Sequence, residues 1–173
     1  GNQHGTSAAV EYAVTALKVA HIVVMGHSNC GGVHGCLEMC EGKAPQLEEK
    51  TSFIGRWMDI LRPGYDRVAD INDDTEKHRA LERQAVLISL ENLMSFPFVR
   101  EAVEADRLSL HGLWNDIGEG ALSCYIPDLR RFGPVPGPGR TKVGTGRAAA
   151  PAQALWAAGR MRHDGSVGQR GTS

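Results

Sequence analysis

His27 and Cys30 are the residues whose types and spacing are best suited to chemistry, since together they form an H-x-x-C pattern. They follow a short β-branched run, residues 22–25, that stops at Gly26. In α/β proteins, functional side chains lie at the carboxyl ends of parallel strands, which is where such a turn would place them. Imidazole nitrogen and thiolate sulfur are both good zinc ligands. The pattern therefore predicts part of a zinc site.

Two ligands do not complete a zinc site, because a structural site takes four protein ligands and a catalytic site takes three. Gly31 and Gly32 would let the backbone come close to a bound group, so we expect them in the wall of a substrate pocket. Cys30 would lie at a helix amino terminus, where free N–H groups favour a thiolate. The alternative is a buried polar histidine and a small core cysteine in a tight turn, and the pattern alone leaves both open.

The other cysteines are weaker candidates. Cys36 and Cys40 are four residues apart, so they share one face of a predicted helix, and His34 lies near them. A second metal cluster is conceivable there. Because the helix leads away from the end of the strand, we interpret these cysteines as core-facing or surface thiols. Cys124 falls on a distant predicted strand and is interpreted as a core residue.

Three further polar residues invite a functional interpretation that their surroundings do not favour. Asp116 and Glu119 could form an acid/base pair, but the glycines beside them indicate turn carboxylates. His111 lies on a predicted strand and is interpreted as a satisfied core residue rather than a ligand. The segment 26–32 is not a phosphate loop, because no Gly-Lys-Ser/Thr sequence follows it.

Helical and strand-like segments alternate along the chain and predict an α/β fold, in which helices flank a parallel β-sheet. An edge strand is expected near the end of the domain. A helix is expected to begin at Asp73 or Asp74 and to break at 95–97. The other predicted helices cover 7–18, 32–40, 47–61 (closed by Arg62-Pro63-Gly64) and 98–105, and the strands cover 22–25, 108–114 and 121–126, the last at an edge.

Composition changes sharply after Phe132. Residues 134–173 are dominated by Gly, Ala, Arg and Pro, so we expect a disordered tail with one helical turn near 154–158. This tail is basic, which leaves residues 1–133 acidic and argues against nucleic-acid binding. We therefore divide the chain into a folded domain, 1–133, and a tail, 134–173.

The bulk composition is that of a soluble globular protein. The chain has 173 residues, of which 42% are hydrophobic and 23% are charged. No apolar stretch approaches the roughly 18 residues that a membrane span needs, and no signal-peptide pattern opens the chain. The cysteines are then interpreted as reduced thiols or metal ligands. These observations predict a cytoplasmic protein without a membrane association.

Several separated segments resemble the β-class carbonic anhydrases, and the resemblance extends over roughly residues 4–133. They are HGTSAAVEYAV (4–14), HIVVMGHSNCGGV (21–33), SLENL (89–93), FPFV (96–99) and LHGLWNDIGEGAL (110–122). The resemblance implies that zinc is held by two cysteines and one histidine. His27 and Cys30 match the histidine and the second cysteine.

In that family the first cysteine belongs to an upstream Cys-x-Asp-x-Arg motif, whose aspartate and arginine orient the zinc-bound water. No cysteine precedes His27 in this chain. We therefore expect the domain to be incomplete at its amino terminus, lacking one ligand and the Asp/Arg pair. Loss of the upstream strand would also expose an apolar sheet edge.

The resemblance implies reversible hydration of carbon dioxide to bicarbonate and a proton, with Zn²⁺ as cofactor. It also implies a homodimer or a higher homo-oligomer. For this chain we expect impaired activity. The alternatives are a catalytically inactive fragment and a non-catalytic metal- or thiol-binding module that uses Cys30, Cys36 and Cys40.

Overall fold

The structure, a computed structural model, describes residues 5–49 and 52–135. The helices are α1 Gly5–Thr15, α2 Gly31–Cys40, α3 Phe53–Met58, α4 Arg62–Asp66, α5 Asp74–Ser95 and α6 Pro97–Glu104. The strands are β1 His21–His27, β2 Ser109–Asp116, β3 Ala121–Ile126 and β4 Arg131–Pro134, and 3₁₀ turns cover Pro45–Leu47, Asp59–Leu61 and Pro127–Leu129. No helix within these ranges is long and apolar enough to cross a bilayer.

The strands form one sheet in the order β1-β2-β3-β4. β1 and β2 are parallel, with His21 opposite Ser109 and His27 opposite Asn115. β3 and β4 continue the sheet in antiparallel pairing. The carboxyl ends of β1 and β2 therefore meet at one edge. The predicted α/β class is confirmed, and in the part of the chain described here parallel pairing is confined to β1 and β2.

Helix α5 is the central packing element, because it lies across both β1 and β2. It begins where the sequence predicts: the side chain of Asp73 accepts a hydrogen bond from the N–H of Glu76 at 2.8 Å, which caps the first turn. It ends at Ser95, immediately before the Phe96-Pro97 step that starts α6. A buried hydrophobic cluster packs α1 against α6 and against the residue that precedes β2. Its members are Val14, Val99, Ala102, Val103 and Leu108.

The single helix predicted for 47–61 is wrong. The structure has α3 and two 3₁₀ turns there, while residues 50 and 51 lie outside the described ranges. Arg62-Pro63-Gly64 does not close a helix but opens α4, since a proline in the first turn has no intrahelical N–H bond to lose. The prediction treated Pro63 as a stop signal, although a proline marks helix starts as well.

The end of the described chain also differs from the prediction. β3 is an inner strand and not an edge, because β4 pairs with it, Cys124 lying opposite Gly133. The predicted strands end at 126 and Pro134 falls in the predicted tail, so residues 133 and 134 were not expected in a strand. They lie instead in the edge strand β4, where a missing proline N–H is tolerated. The helical turn predicted near 154–158 lies outside the described residues.

The outer edge of β1 has no strand partner among the described residues. On one face of this strand Val23 and Met25 are 52% and 59% exposed. The opposite face, with Ile22 and Val24, is half-buried. β1 therefore has an unpaired edge and one apolar face that is exposed within the described part of the chain.

Gly26 sets how closely β1 approaches α5. A Cβ on this residue would lie 2.6 Å from Cγ2 of Val86 and 3.5 Å from the backbone oxygen of Glu82. We therefore expect Gly26→Ala to destabilise the fold by about 1–3 kcal/mol, because the helix must move away from the strand. Gly31→Ala is the matched control, since a Cβ there meets nothing within 4 Å. Chemical denaturation measures both, and equal stabilities of the two variants would contradict the prediction.

Candidate metal centre

His27 and Cys30 lie on one strand-to-helix turn, as the sequence predicts. His27 is the last residue of β1, and Cys30 is the N-cap residue of α2. Between them, Asn29 adopts a left-handed conformation with φ of 57°, which asparagine tolerates better than most residues. The chain therefore reverses within two residues and leaves Cys30 at the amino terminus of a helix.

The imidazole of His27 is oriented by its own turn. Its Nδ1 lies 2.9 Å from the carbonyl oxygen of Ser28. A carbonyl only accepts hydrogen bonds, so Nδ1 carries the proton and donates it. Nε2 then keeps its lone pair. This is the arrangement that metal-ligating histidines use, with one ring nitrogen bonded to the protein and the other available to the ion.

A cavity of about 550 Å³ opens beside this turn, between α1, β1 and α5. His27, Cys30 and Glu82 line it together with many apolar side chains. Gly32 also lines the cavity, whereas Gly31 is not among the lining residues. A Cβ on Gly32 would lie 3.0 Å from the ring of Trp57 and 3.9 Å from Sγ of Cys30, so this glycine lets the tryptophan approach the thiol.

Ser28 anchors the turn to the end of β2. It is 1% exposed, and its N–H donates to the carbonyl of Asn115 at 2.8 Å. Its hydroxyl oxygen accepts the N–H of Ile117 at 2.8 Å and lies 3.4 Å from Oδ1 of Asp116. These bonds tie the His27–Cys30 turn to the neighbouring strand.

Asp116 is a turn carboxylate, as predicted, and it also belongs to this anchor. It accepts hydrogen bonds from the N–H groups of Gly118 and Glu119, and Arg79 of α5 lies 2.9 Å from Oδ2. Burial alone would raise the pKa of Asp116. The Glu119 N–H and the charge of Arg79 outweigh that effect, so the pKa is lowered from its ordinary value.

Glu82 holds the turn from the side of α5. It is 2% exposed, and its Oε1 accepts the backbone N–H of Cys30 at 3.2 Å. Nothing in the sequence alone marks Ser28, Arg79 and Glu82 as site residues. Arg79 and Glu82 are three residues apart and so share a face of α5, but that spacing alone gives no signal of a site.

The remaining candidates lie elsewhere. Sγ of Cys36 is 4.0 Å from Sγ of Cys40, with Cys36 fully buried and Cys40 half-buried, which agrees with their interpretation as core-facing or surface thiols. Cys124 is half-buried. The interpretation of His111 as a core residue is wrong: it is exposed, and its Nε2 lies 3.1 Å from Nδ1 of His21, because this face of β1 and β2 is uncovered.

Within residues 5–49 and 52–135, no group of three or more His, Cys, Asp or Glu side chains could hold a metal ion. His27 and Cys30 line one cavity, and no third side chain of these types joins them in such a group within those ranges.

Comparisons with known proteins identify the family. The carbonic anhydrase family model matches residues 1–122. Beta carbonic anhydrase 3 of Arabidopsis thaliana is 37% identical over 126 residues, which are 71% of this chain and 48% of that protein. The solved structure of the β-carbonic anhydrase CcaA superposes with a TM-score of 0.68 at 28% identity, covering 79% of this chain and 60% of that one.

Tetrameric β-carbonic anhydrases from the filamentous ascomycete Sordaria macrospora match with a TM-score of 0.56 at 30% identity, covering 71% of this chain and 60% of theirs. The chain therefore belongs to the carbonic anhydrase family, and within it to the β class. It spans about half the length of the Arabidopsis relative.

The lowered pKa of Asp116 makes the anchor pH-dependent. Because the folded pKa lies below the unfolded value, its stabilisation is present above the unfolded pKa and is lost as pH falls through the folded one. Asp116→Asn should therefore be less stable than the unmodified protein near neutral pH, and the gap should narrow in acid. Urea unfolding across pH measures this. The control Asp128→Asn changes an exposed carboxyl, and a gap for Asp116→Asn that stays constant into acid would contradict the prediction.

Proposed function

We propose that His27 and Cys30 are two of the zinc ligands of a site for reversible hydration of carbon dioxide to bicarbonate and a proton. The observation that carries this proposal is their joint position on one turn, beside one cavity, with Nε2 of His27 left free by the bond from Nδ1 to Ser28. Nitrogen and sulfur donors suit zinc. Family membership supports the reaction class.

The donor set fits part of a zinc site. Imidazole and thiolate would fill two positions, and the third belongs, by the family resemblance, to the cysteine of a Cys-x-Asp-x-Arg motif. When bound, zinc would lower the pKa of a water molecule from about 15.7 to near 7 and supply hydroxide at neutral pH. The chain's own contribution is to hold the two donors in place through Ser28 and Glu82.

The cavity suits an uncharged substrate. Carbon dioxide is small and has no net charge, so an apolar wall binds it without the desolvation that an ion would require. Val24, Val86 and Leu93 contribute to that wall, and His27 and Cys30 lie on the same surface. The apolar residues would also keep bulk water away from the reacting carbon.

We also propose that the chain works as a homo-oligomer. The tetrameric Sordaria relatives support this, as do exposed apolar side chains around the open edge of β1. Met25 is 59% and Trp57 is 62% exposed, and both line the cavity. Large exposed apolar groups of this kind are typical of interfaces.

A catalytically inactive fragment is the main alternative, and the presence of two rather than three donors among the described residues favours it. A separate thiol module has less support. Burial, followed by the charge of Cys40, raises the pKa of Cys36 to about 12, and burial also raises the pKa of Cys40. Thiols with raised pKa values are poor nucleophiles and poor metal ligands near neutral pH.

Metal analysis of the purified 173-residue chain tests the zinc site. We expect sub-stoichiometric zinc and little hydration of carbon dioxide by stopped flow, because two ligands bind weakly. His27→Ala and Cys30→Ser should remove the residual zinc, whereas His34→Ala, an exposed histidine on α2, should not. Zinc content unchanged by the first two variants would contradict the assignment. One tight zinc per chain with rapid hydration would contradict the two-donor description.

Native-state thiol labelling tests the module alternative. At about neutral pH a thiol reagent should modify Cys30, which is partly exposed, and leave Cys36 unmodified, because that thiol is fully buried with a pKa of about 12. Mass spectrometry of peptides gives the modified positions, and the denatured protein is the control in which all cysteines react. Labelling of Cys36 as fast as Cys30 would favour the thiol module.

A further inference from the structure

Glu82 is a buried carboxyl group on α5, the helix that packs against β1. It follows the fully buried Leu81 in the sequence of this helix, and it is 2% exposed. Removing a carboxyl group from water is unfavourable unless hydrogen bonds replace those to water. Among the described residues, Oε1 has one such partner and Oε2 has none. The position is therefore costly for stability alone.

Within the described ranges, the one hydrogen-bond partner of this carboxyl is the backbone N–H of Cys30, at 3.2 Å, while Nε2 of His78 on the same helix lies 3.7 Å from Oε1. Cys30 is the N-cap residue of α2, and its own side chain makes no capping bond. In the part of the chain that the structure describes, the N–H group of Cys30 has no hydrogen-bond acceptor other than Glu82. Glu82 therefore fixes the peptide plane before Cys30 and, with it, the direction in which Cα–Cβ and the thiol leave the backbone.

Two contacts from one helix hold the turn on either side of Asn29. Arg79 acts on Ser28 through Asp116, and three residues later Glu82 acts on Cys30 directly. The close approach at Gly26 brings α5 near enough for both. Each candidate ligand is thus fixed by a different group: His27 by the carbonyl of Ser28, and Cys30 by Glu82.

We propose that Glu82 is the positioning residue of the metal centre, holding the Cys30 thiol toward the cavity through the Cys30 N–H. The role rests on the proposed zinc site at His27 and Cys30. Groups that orient a metal ligand in this way commonly change metal affinity by about 10–100-fold when they are removed.

Two substitutions separate the hydrogen bond from the volume and the charge. Glu82→Gln keeps an acceptor oxygen at nearly the same volume, and Glu82→Leu removes it. Glu76→Gln is the control, because it removes a negative charge from an exposed position on the same helix. Amide hydrogen exchange at Cys30, measured by NMR without metal, reports the anchor itself, and the amide of Leu90 in the core of α5 reports overall stability.

We expect the Cys30 amide to exchange about tenfold faster in Glu82→Leu, with Leu90 unchanged, and to stay slow in Glu82→Gln and Glu76→Gln. A Cys30 amide that remains slow in Glu82→Leu overturns the proposal. So does fast exchange at Cys30 alone in Glu82→Gln, because the acceptor is still present there. That second outcome keeps the test decisive if Glu82→Leu does not fold.

Co²⁺ titration, followed by the thiolate-to-cobalt absorption band, adds the link to the metal. Glu82→Leu should weaken Co²⁺ binding by about 10–100-fold, and Glu82→Gln should restore binding close to that of the unmodified protein. Equal affinity in all three proteins overturns the positioning role. Absence of the band from the unmodified protein defeats the proposed zinc site instead, and the exchange measurement then still decides whether Glu82 anchors Cys30.

Discussion

The close contact between β1 and α5 at Gly26 is the constraint on which the candidate site depends. Without a side chain at Gly26, Val86 and the backbone of Glu82 lie directly against the strand. This approach brings one face of α5 within hydrogen-bonding distance of the turn that follows β1. The contacts that Arg79 and Glu82 make there are consequences of that packing. If a side chain at this position pushed β1 away from α5, the turn would lose its contacts with α5 and keep only those with β2.

Local signals in the sequence predicted the parts of the fold that local forces determine. The β-branched run became β1, and Asp73 caps α5 because a side-chain acceptor next to a helical segment acts over three residues. The H-x-x-C turn also formed as expected, because it depends on residues that are adjacent in the sequence. The single helix predicted over 47–61 was wrong because Ser52, within that segment, caps a new helix by accepting the N–H of Gly55 at 2.9 Å. β4 was missed because it exists only through pairing with β3.

The supports of the site could not be predicted, because they join residues far apart in the chain. Ser28 and Asp116 are separated by 88 positions, and Cys30 and Glu82 by 52. No periodicity relates such residues, and a serine or glutamate taken singly is an ordinary residue of a turn or a helix. The candidate ligands His27 and Cys30 were recognisable from their types and spacing. Their positioning groups became visible only once α5 had been placed on the sheet.

The carboxyl groups of Asp116 and Glu82, which both lie beside the turn, differ in how far hydrogen bonds compensate their burial. Asp116 is compensated by Arg79 and by two N–H groups, so its burial is consistent with a role in stability. Glu82 is buried more deeply and has one N–H partner, while Nε2 of His78 lies 3.7 Å from Oε1. A leucine of similar volume would satisfy the packing and avoid the desolvation. The acceptor meets the N–H of Cys30, and the proposed metal site, rather than the fold, accounts for a carboxyl group at this position.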